Sequence, residues 1–171
     1  MNLADLAKAA AEEGVDVDNA PSNKVSLTDG ETYLVKAEIV NQGVNQKGTL
    51  TFGAMFRILD GPDNVNRTYW DNWYISPKET SAGFNARTFH YLGLLGIDID
   101  VLTSVEGVYN DQSNAVLTAS ATTPVSVEAG YEEKKDTPGE FWTRNHYVAA
   151  TDAAPVVVSE AADEPDDDLG F

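Results

Sequence analysis

The sequence predicts a mainly β domain, an α+β fold of five antiparallel strands closing as a barrel with one helix between the third and fourth. Three observations lead there. Runs of alternating apolar and polar residues, the period of a strand with one face buried, recur between turn-forming clusters of Gly, Pro, Asn and Asp. Within the domain only residues 80–95 carry a clear helical stripe. Past residue 151 the composition shifts to Ala, Pro and acid, which cannot extend a core.

In chain order, residues 3–13 read as a short helix with Leu3, Leu6, Ala7 and Ala10 on one face and Gly14 as its stop. Leu3 and Leu6 are expected to offer a pairing face for a homo-oligomer. Residues 1–23 are then this helix and a linker, 24–151 the domain, and 152–171 a disordered acidic tail. The first strand is expected over residues 32–41, where Val35, Ala37 and Ile39 alternate with Lys36 and Glu38. A glycine-bounded loop, residues 42–48, leads to a second strand over 49–59. Its Leu50, Phe52, Ala54, Phe56 and Ile58 share one face, with Thr51, Met55 and Arg57 on the other. Asp60-Gly61-Pro62-Asp63 is a turn, and a third strand follows over 67–75.

The helix of residues 80–95 places Phe84, Thr88, Tyr91, Leu92 and Leu95 on one stripe and ends at Gly96. Residues 98–118 read as a loop and a short helix. Two last strands, near 125–132 and 141–150, flank a turn at Lys135-Asp136-Thr137-Pro138-Gly139. Three strands, a helix and two strands in this length match the OB-fold, a five-stranded Greek-key barrel.

Of the 171 residues none is cysteine, which removes disulfides, thiolate catalysis and Cys-ligated zinc together. No run reaches the roughly 20 apolar residues that span a bilayer, and residues 1–11 lack a signal-peptide pattern. A cytoplasmic location is the expectation, with no membrane partner. The net charge of −17 is unevenly spread: −4 falls in residues 1–20, −7 in 152–171 and −6 in the long middle. Bulk attraction to duplex phosphate is thereby disfavoured, and any nucleic-acid site must be local.

Enzymatic signatures are absent: no phosphate-binding glycine motif and no H-E-x-x-H occurs. His90 and His146 read as structural or solvated, and Asp98 and Asp100 as a solvated loop rather than metal ligands. No catalytic residue, metal or cofactor is expected. Aromatic residues carry the stronger signal. Tyr69-Trp70-Asp71-Asn72-Trp73-Tyr74 puts four large rings in six residues of one strand. If Asp71 marks the wet face, alternation turns Tyr69 and Trp73 outward with it and Trp70 and Tyr74 into the core. Lys36, Arg57, Trp142 and Arg144 point outward on their strands by the same reasoning, and Lys47, Lys134 and Lys135 sit in hairpin loops that flank the groove in OB-folds. Exposed rings interleaved with cations suit single-stranded nucleic acid, whose bases are free to stack.

Residues 160–171 hold six carboxylates and no base, then finish Leu169-Gly170-Phe171. A strand order of this kind followed by Asp166-Asp167-Asp168-Leu169-Gly170-Phe171 resembles the single-stranded DNA-binding proteins of bacteria and bacteriophages. It looks closest to the phage-encoded versions, and Gly170 stands where bacterial tails commonly carry proline. The resemblance implies sequence-independent single-stranded DNA binding by Lys36, Lys47, Arg57, Tyr69, Trp73, Trp142 and Arg144, in phage replication or recombination within the host cytoplasm. It also implies a tail whose Asp166, Asp167, Asp168, Leu169 and Phe171 recruit replication or recombination proteins, or compete with DNA for the groove. An acidic DNA-mimic inhibitor and a phage structural or assembly protein are the alternatives from other classes.

Overall fold

Alternation dictates the first three strands, and they form where it predicts. β1 (Thr32–Val44), β2 (Leu50–Asp60) and β3 (Thr68–Ile75) make an antiparallel meander. The chain is described here from a computed structural model, over residues 2–12 and 25–150. The predicted linker, and the tail with Asp166, Asp167, Asp168, Leu169 and Phe171, lie outside the described residues. Ahead of the domain, Leu3–Glu12 forms α1, on which Leu3 and Leu6 are exposed.

A single 3-10 turn, Glu79–Ser81, leads into α2 (Ala82–Leu95), which ends at Gly96 with φ +106°. Thr88, Tyr91, Leu92 and Leu95 of its predicted stripe are buried, but Phe84 is exposed. Residues 98–118, read as a loop and a short helix, hold two helices instead, α3 (Ile99–Ser104) and α4 (Asp111–Ser120, which runs two residues further), so the fold is mixed α/β rather than mainly β. Both start on local caps. Asp98 accepts from the Val101 amide, and Asn110 and Ser113 form a reciprocal capping box.

The two last predicted strands are each divided in two. β4 (Val125–Glu128) and β7 (His146–Ala149) pair with each other, and β4 also pairs with β1. Between them β5 (Tyr131–Glu133) and β6 (Phe141–Thr143) form a separate two-stranded arm. The five-stranded sheet therefore runs β3-β2-β1-β4-β7 and curls as a half-barrel. β4 covers β1 only from Thr32 to Val35. Beyond that α4 completes the edge: Thr118 Oγ1 accepts from the Val40 amide at 2.9 Å, and Asn114 Oδ1 accepts from the Gln42 amide at 2.9 Å.

Two predicted faces change. A bulge between Ala37 and Ile39 turns Ile39 outward and brings Val40 into the core. On β3 the inward residues are Tyr69, Asp71 and Trp73, not Trp70 and Tyr74. The inner face carries an aromatic core. Phe56 stacks on Tyr69 and on Tyr147 with centroids 5.2 and 5.4 Å apart, and Trp73 meets Tyr147 edge-on at 5.2 Å. Tyr91 of α2 packs against Trp73 and Tyr147 at 5.5 and 5.1 Å.

Asp71 faces inward because its donors are there. Its Oδ2 accepts from the Tyr147 hydroxyl at 2.8 Å and from Asn145 Nδ2 at 3.1 Å, and its Oδ1 accepts from the Asn72 amide at 2.8 Å. Tyr147 and Tyr69 hydroxyls lie 3.1 Å apart. These contacts join β3 to β7, the two ends of the strand order, by side chains alone. Burial pushes the Asp71 carboxyl above the ordinary carboxylate range, although hydrogen bonds from Tyr147, Asn72, Asn145 and Trp73 oppose the shift. Burial likewise lifts the Tyr69 and Tyr147 hydroxyls well above the usual phenol range.

For a carboxyl raised in the folded state, the fold binds more protons than the unfolded chain between the ordinary and raised values. Asp71 therefore contributes most below its ordinary value of 3.8, and that contribution is lost as pH rises through the raised value. In Asp71→Asn this titration is gone. Urea unfolding of both proteins between about pH 3.5 and pH 7 should show wild type losing stability relative to Asp71→Asn as pH rises. A gap that is constant or moves the other way would contradict the buried-acid assignment.

Candidate functional site

With β3 oriented by Asp71, its outer face presents Trp70, Asn72 and Tyr74. Cross-strand register sets Tyr74 opposite Thr51, Asn72 opposite Gly53, and Trp70 opposite Met55, which in turn faces Ile39 of β1. Gly53 lies under this face: a Cβ there would meet Trp70 Cζ3 in ordinary contact at 3.7 Å and crowd Asn72 Oδ1 at 3.2 Å. The result is a strip of Ile39, Met55, Trp70 and Tyr74 across three strands, with Tyr74 43% exposed and Trp70 half-buried.

Tyr69 and Trp73, predicted as exposed stacking residues, are 3% and 7% exposed and belong to the core. The cause is the reading of Asp71 as a marker of the wet side. A carboxylate goes inside when donors meet it, and Tyr147 of β7 and Asn145 just before it lie more than 70 residues away in sequence. Trp70 and Tyr74 are the residues that sequence reasoning missed. Strict alternation had already separated them from Tyr69 and Trp73; only the sign of the face was wrong.

Lys36 and Arg57 lie beside this strip, outward as predicted and opposite one another in the ladder. Arg57 is already engaged. Its Nε and Nη2 donate to both Glu38 carboxylate oxygens at 2.6 and 2.9 Å, and Nη1 donates to the Asn66 carbonyl at 2.6 Å. That bidentate bond from Arg57 holds the Glu38 carboxyl below its ordinary range. Lys47 is exposed in the β1–β2 loop, which Asn45 Oδ1 shapes by accepting from the Lys47 and Thr49 amides.

Trp142 and Arg144 sit on the arm and its base, not on one continuous strand with His146 as predicted. Trp142 is 52% exposed, as is its neighbour Phe141 at 53%. Lys134 Nζ stands 4.4 Å from the Trp142 ring centroid and the Arg144 guanidinium carbon 5.8 Å from it. A groove of about 370 Å³ opens here, lined by residues that include Glu132, Lys134, Lys135, Trp142 and Arg144.

The arm's base is pinned. The Arg144 amide donates to the Gly130 carbonyl at 2.7 Å, and the Gly130 amide donates to Asn145 Oδ1 at 3.3 Å. Asn145 is the residue that also reaches Asp71, so the arm leaves the sheet beside the middle of the strand carrying Trp70 and Asn72. Among the described residues no helix is long and apolar enough to cross a membrane, and no group of three or more His, Asp or Glu is arranged to hold a metal ion.

No protein-family model matches this sequence, and no curated protein is detectably similar to it. The site stands on its own geometry: two exposed aromatic surfaces, one on the sheet and one on the arm, with cations beside each.

Gly130 is the joint between them. A Cβ at this position would lie 2.6 Å from the Arg144 carbonyl oxygen, which is backbone and cannot step aside. Gly130→Ala should therefore cost roughly 1–3 kcal/mol and loosen the arm. Amide hydrogen exchange should show Arg144 losing protection while the β1–β2 amides keep theirs; an unchanged Arg144 amide would show that the crossing tolerates a side chain.

Proposed function

We propose that this chain is a sequence-independent single-stranded DNA-binding protein built on an OB-type barrel. The reading includes a role in phage replication or recombination. In that type of barrel, oligonucleotides bind on the face of strands two and three and on the loops joining strands one to two and four to five. Counting β7 as the fifth barrel strand, those three places carry Trp70 with Tyr74, Lys47, and the arm with Trp142. The coincidence of exposed rings, Tyr74 and Trp142, with two of these places, and of an exposed lysine with the third, is the observation that carries the reading.

The chemistry follows from stacking. Bases of a single strand stack on aromatic faces for about 1–3 kcal/mol each and do so whatever the base, while Lys and Arg take the phosphates. The charge is consistent with binding led by rings, because −6 over the middle of the chain provides little bulk attraction. The acidic tail, −7 over residues 152–171, has two roles in the proposal. Its Leu169-Gly170-Phe171 ending recruits replication or recombination proteins. Tethered to the same chain, its carboxylates also compete with phosphate at high effective concentration.

Anisotropy of labelled oligo-dT tests this, with full-length protein and a form lacking residues 152–171 measured side by side. Binding is expected for both. Tyr74→Ala and Trp142→Ala should each weaken it about 5- to 100-fold, the loss of one stacked base. Absence of binding at low salt with the tail removed would reject the function.

The tail makes its own forecast. Its removal should tighten binding at low ionic strength, and the gain should shrink as salt screens the carboxylates over a Debye length of about 10 Å at 0.1 M. Equal affinities throughout a salt titration would remove the competitive role and leave only recruitment.

A further inference from the structure

The arm carries its own anions at the two cations beside its exposed ring. Arg144 Nε donates to Glu132 Oε1 at 2.9 Å, and Lys134 Nζ pairs with Glu140 Oε1 at 3.3 Å. Both cations approach Trp142, and Glu132 is paired with Trp142 in the β5–β6 register. One ring, two cations and two carboxylates are thus gathered on one small hairpin and its base.

We infer that Glu132 and Glu140 are resident stand-ins for phosphate, so that a strand stacking on Trp142 engages Arg144 and Lys134 by exchanging two intramolecular ion pairs for two phosphate pairs. The inference rests on the DNA-binding reading above and deepens it by assigning a control to the arm. No bond is made or broken covalently; carboxylate oxygens leave the guanidinium and ammonium groups, and phosphate oxygens replace them.

Three features fit an exchange rather than a rigid brace. The pairs are open to water, with side-chain exposures of 51% and 60% for Arg144 and Glu132, and 30% and 60% for Lys134 and Glu140. Ion pairs so exposed are weak and readily traded. Lys134 holds the Glu140 carboxyl below its ordinary range, so the stand-in is ionised at neutral pH. Lys135, in the same groove, makes no ion pair among the described residues, so it is available to meet a phosphate before the exchange.

The exchange has a consequence that simple cation–phosphate binding lacks. A free cation on binding phosphate releases counterions, and affinity for single strands falls with salt at a slope of about −0.7 per phosphate neutralised. A cation already holding a carboxylate contributes less to that slope. Removing the carboxylates should therefore raise affinity and steepen the salt dependence together.

The test uses the full chain with labelled oligo-dT over a sodium chloride series, comparing wild type with Glu132→Gln/Glu140→Gln. Glutamine keeps the size and a carbonyl acceptor but not the charge. The double variant should bind about 3- to 30-fold more tightly at low salt, with a slope steeper by up to about 1.4 for the two phosphates. Asp100→Asn/Glu106→Gln makes the same charge change on the helical segment and should leave the slope as in wild type. If the arm variant keeps the wild-type slope and affinity, or the helical variant matches its gain, ion-pair exchange is overturned while DNA binding stands. If neither wild type nor the arm variant binds the oligonucleotide, the functional reading falls and this inference with it.

Discussion

The architecture depends on one buried carboxylate. Asp71 sits 9% exposed at the centre of β3, and it is tolerable there only because Tyr147, Asn145 and the Asn72 amide aim donors at it. β3 and β7 stand at opposite ends of the strand order, where each would otherwise present an uncovered edge. Hydrogen bonds from Tyr147 and Asn145 draw those ends together, and the stacked rings of Phe56, Tyr69 and Tyr147 fill the curl beneath them. A polar closure of this kind demands one register, because a one-residue slip would leave the carboxylate without its donors.

The same side chain arranges the surface. By facing inward, Asp71 commits Tyr69 and Trp73 to the core and Trp70 and Tyr74 to the outer face. Through Asn145 it reaches the Gly130 joint and so fixes where the arm departs. Sheet face and arm are thus two surfaces governed by one buried group, which accounts for a polar residue in a place where an apolar one would pack more simply. Under the proposed function, this is how rings on separate elements come to serve one strand of DNA.

Charge follows a consistent pattern. Arg57, Lys134 and Arg144 are each paired with a carboxylate, in Glu38, Glu140 and Glu132. With these three cations compensated in a protein carrying −17, nonspecific attraction to polyanions is low. Under the proposed function, selectivity for single strands then rests on contacts that a random polyanion cannot make, and exposed rings are of that kind.

Much of the fold was legible in the sequence. Period-two patterning located β1, β2 and β3 to within three residues at every end, and spacing in threes and fours located α2 up to Gly96. Those are local signals, written into consecutive residues. Lys47, in a hairpin loop, and Trp142, by alternation on its strand, were also legible as exposed. What alternation could not supply was the sign of the β3 face. It separates Tyr69, Asp71 and Trp73 from Trp70, Asn72 and Tyr74, but which set is inside depends on Tyr147 and Asn145, brought in from the far end of the chain. The break of the last two strands into sheet and arm was equally hidden, because the approach of the Arg144 carbonyl to Gly130 exists only after folding. Local patterning was enough for the first three strands, for α2 and for the uneven charge; which rings face water followed only from the assembled fold, since burial of an acid is settled by donors that only the closed sheet brings together.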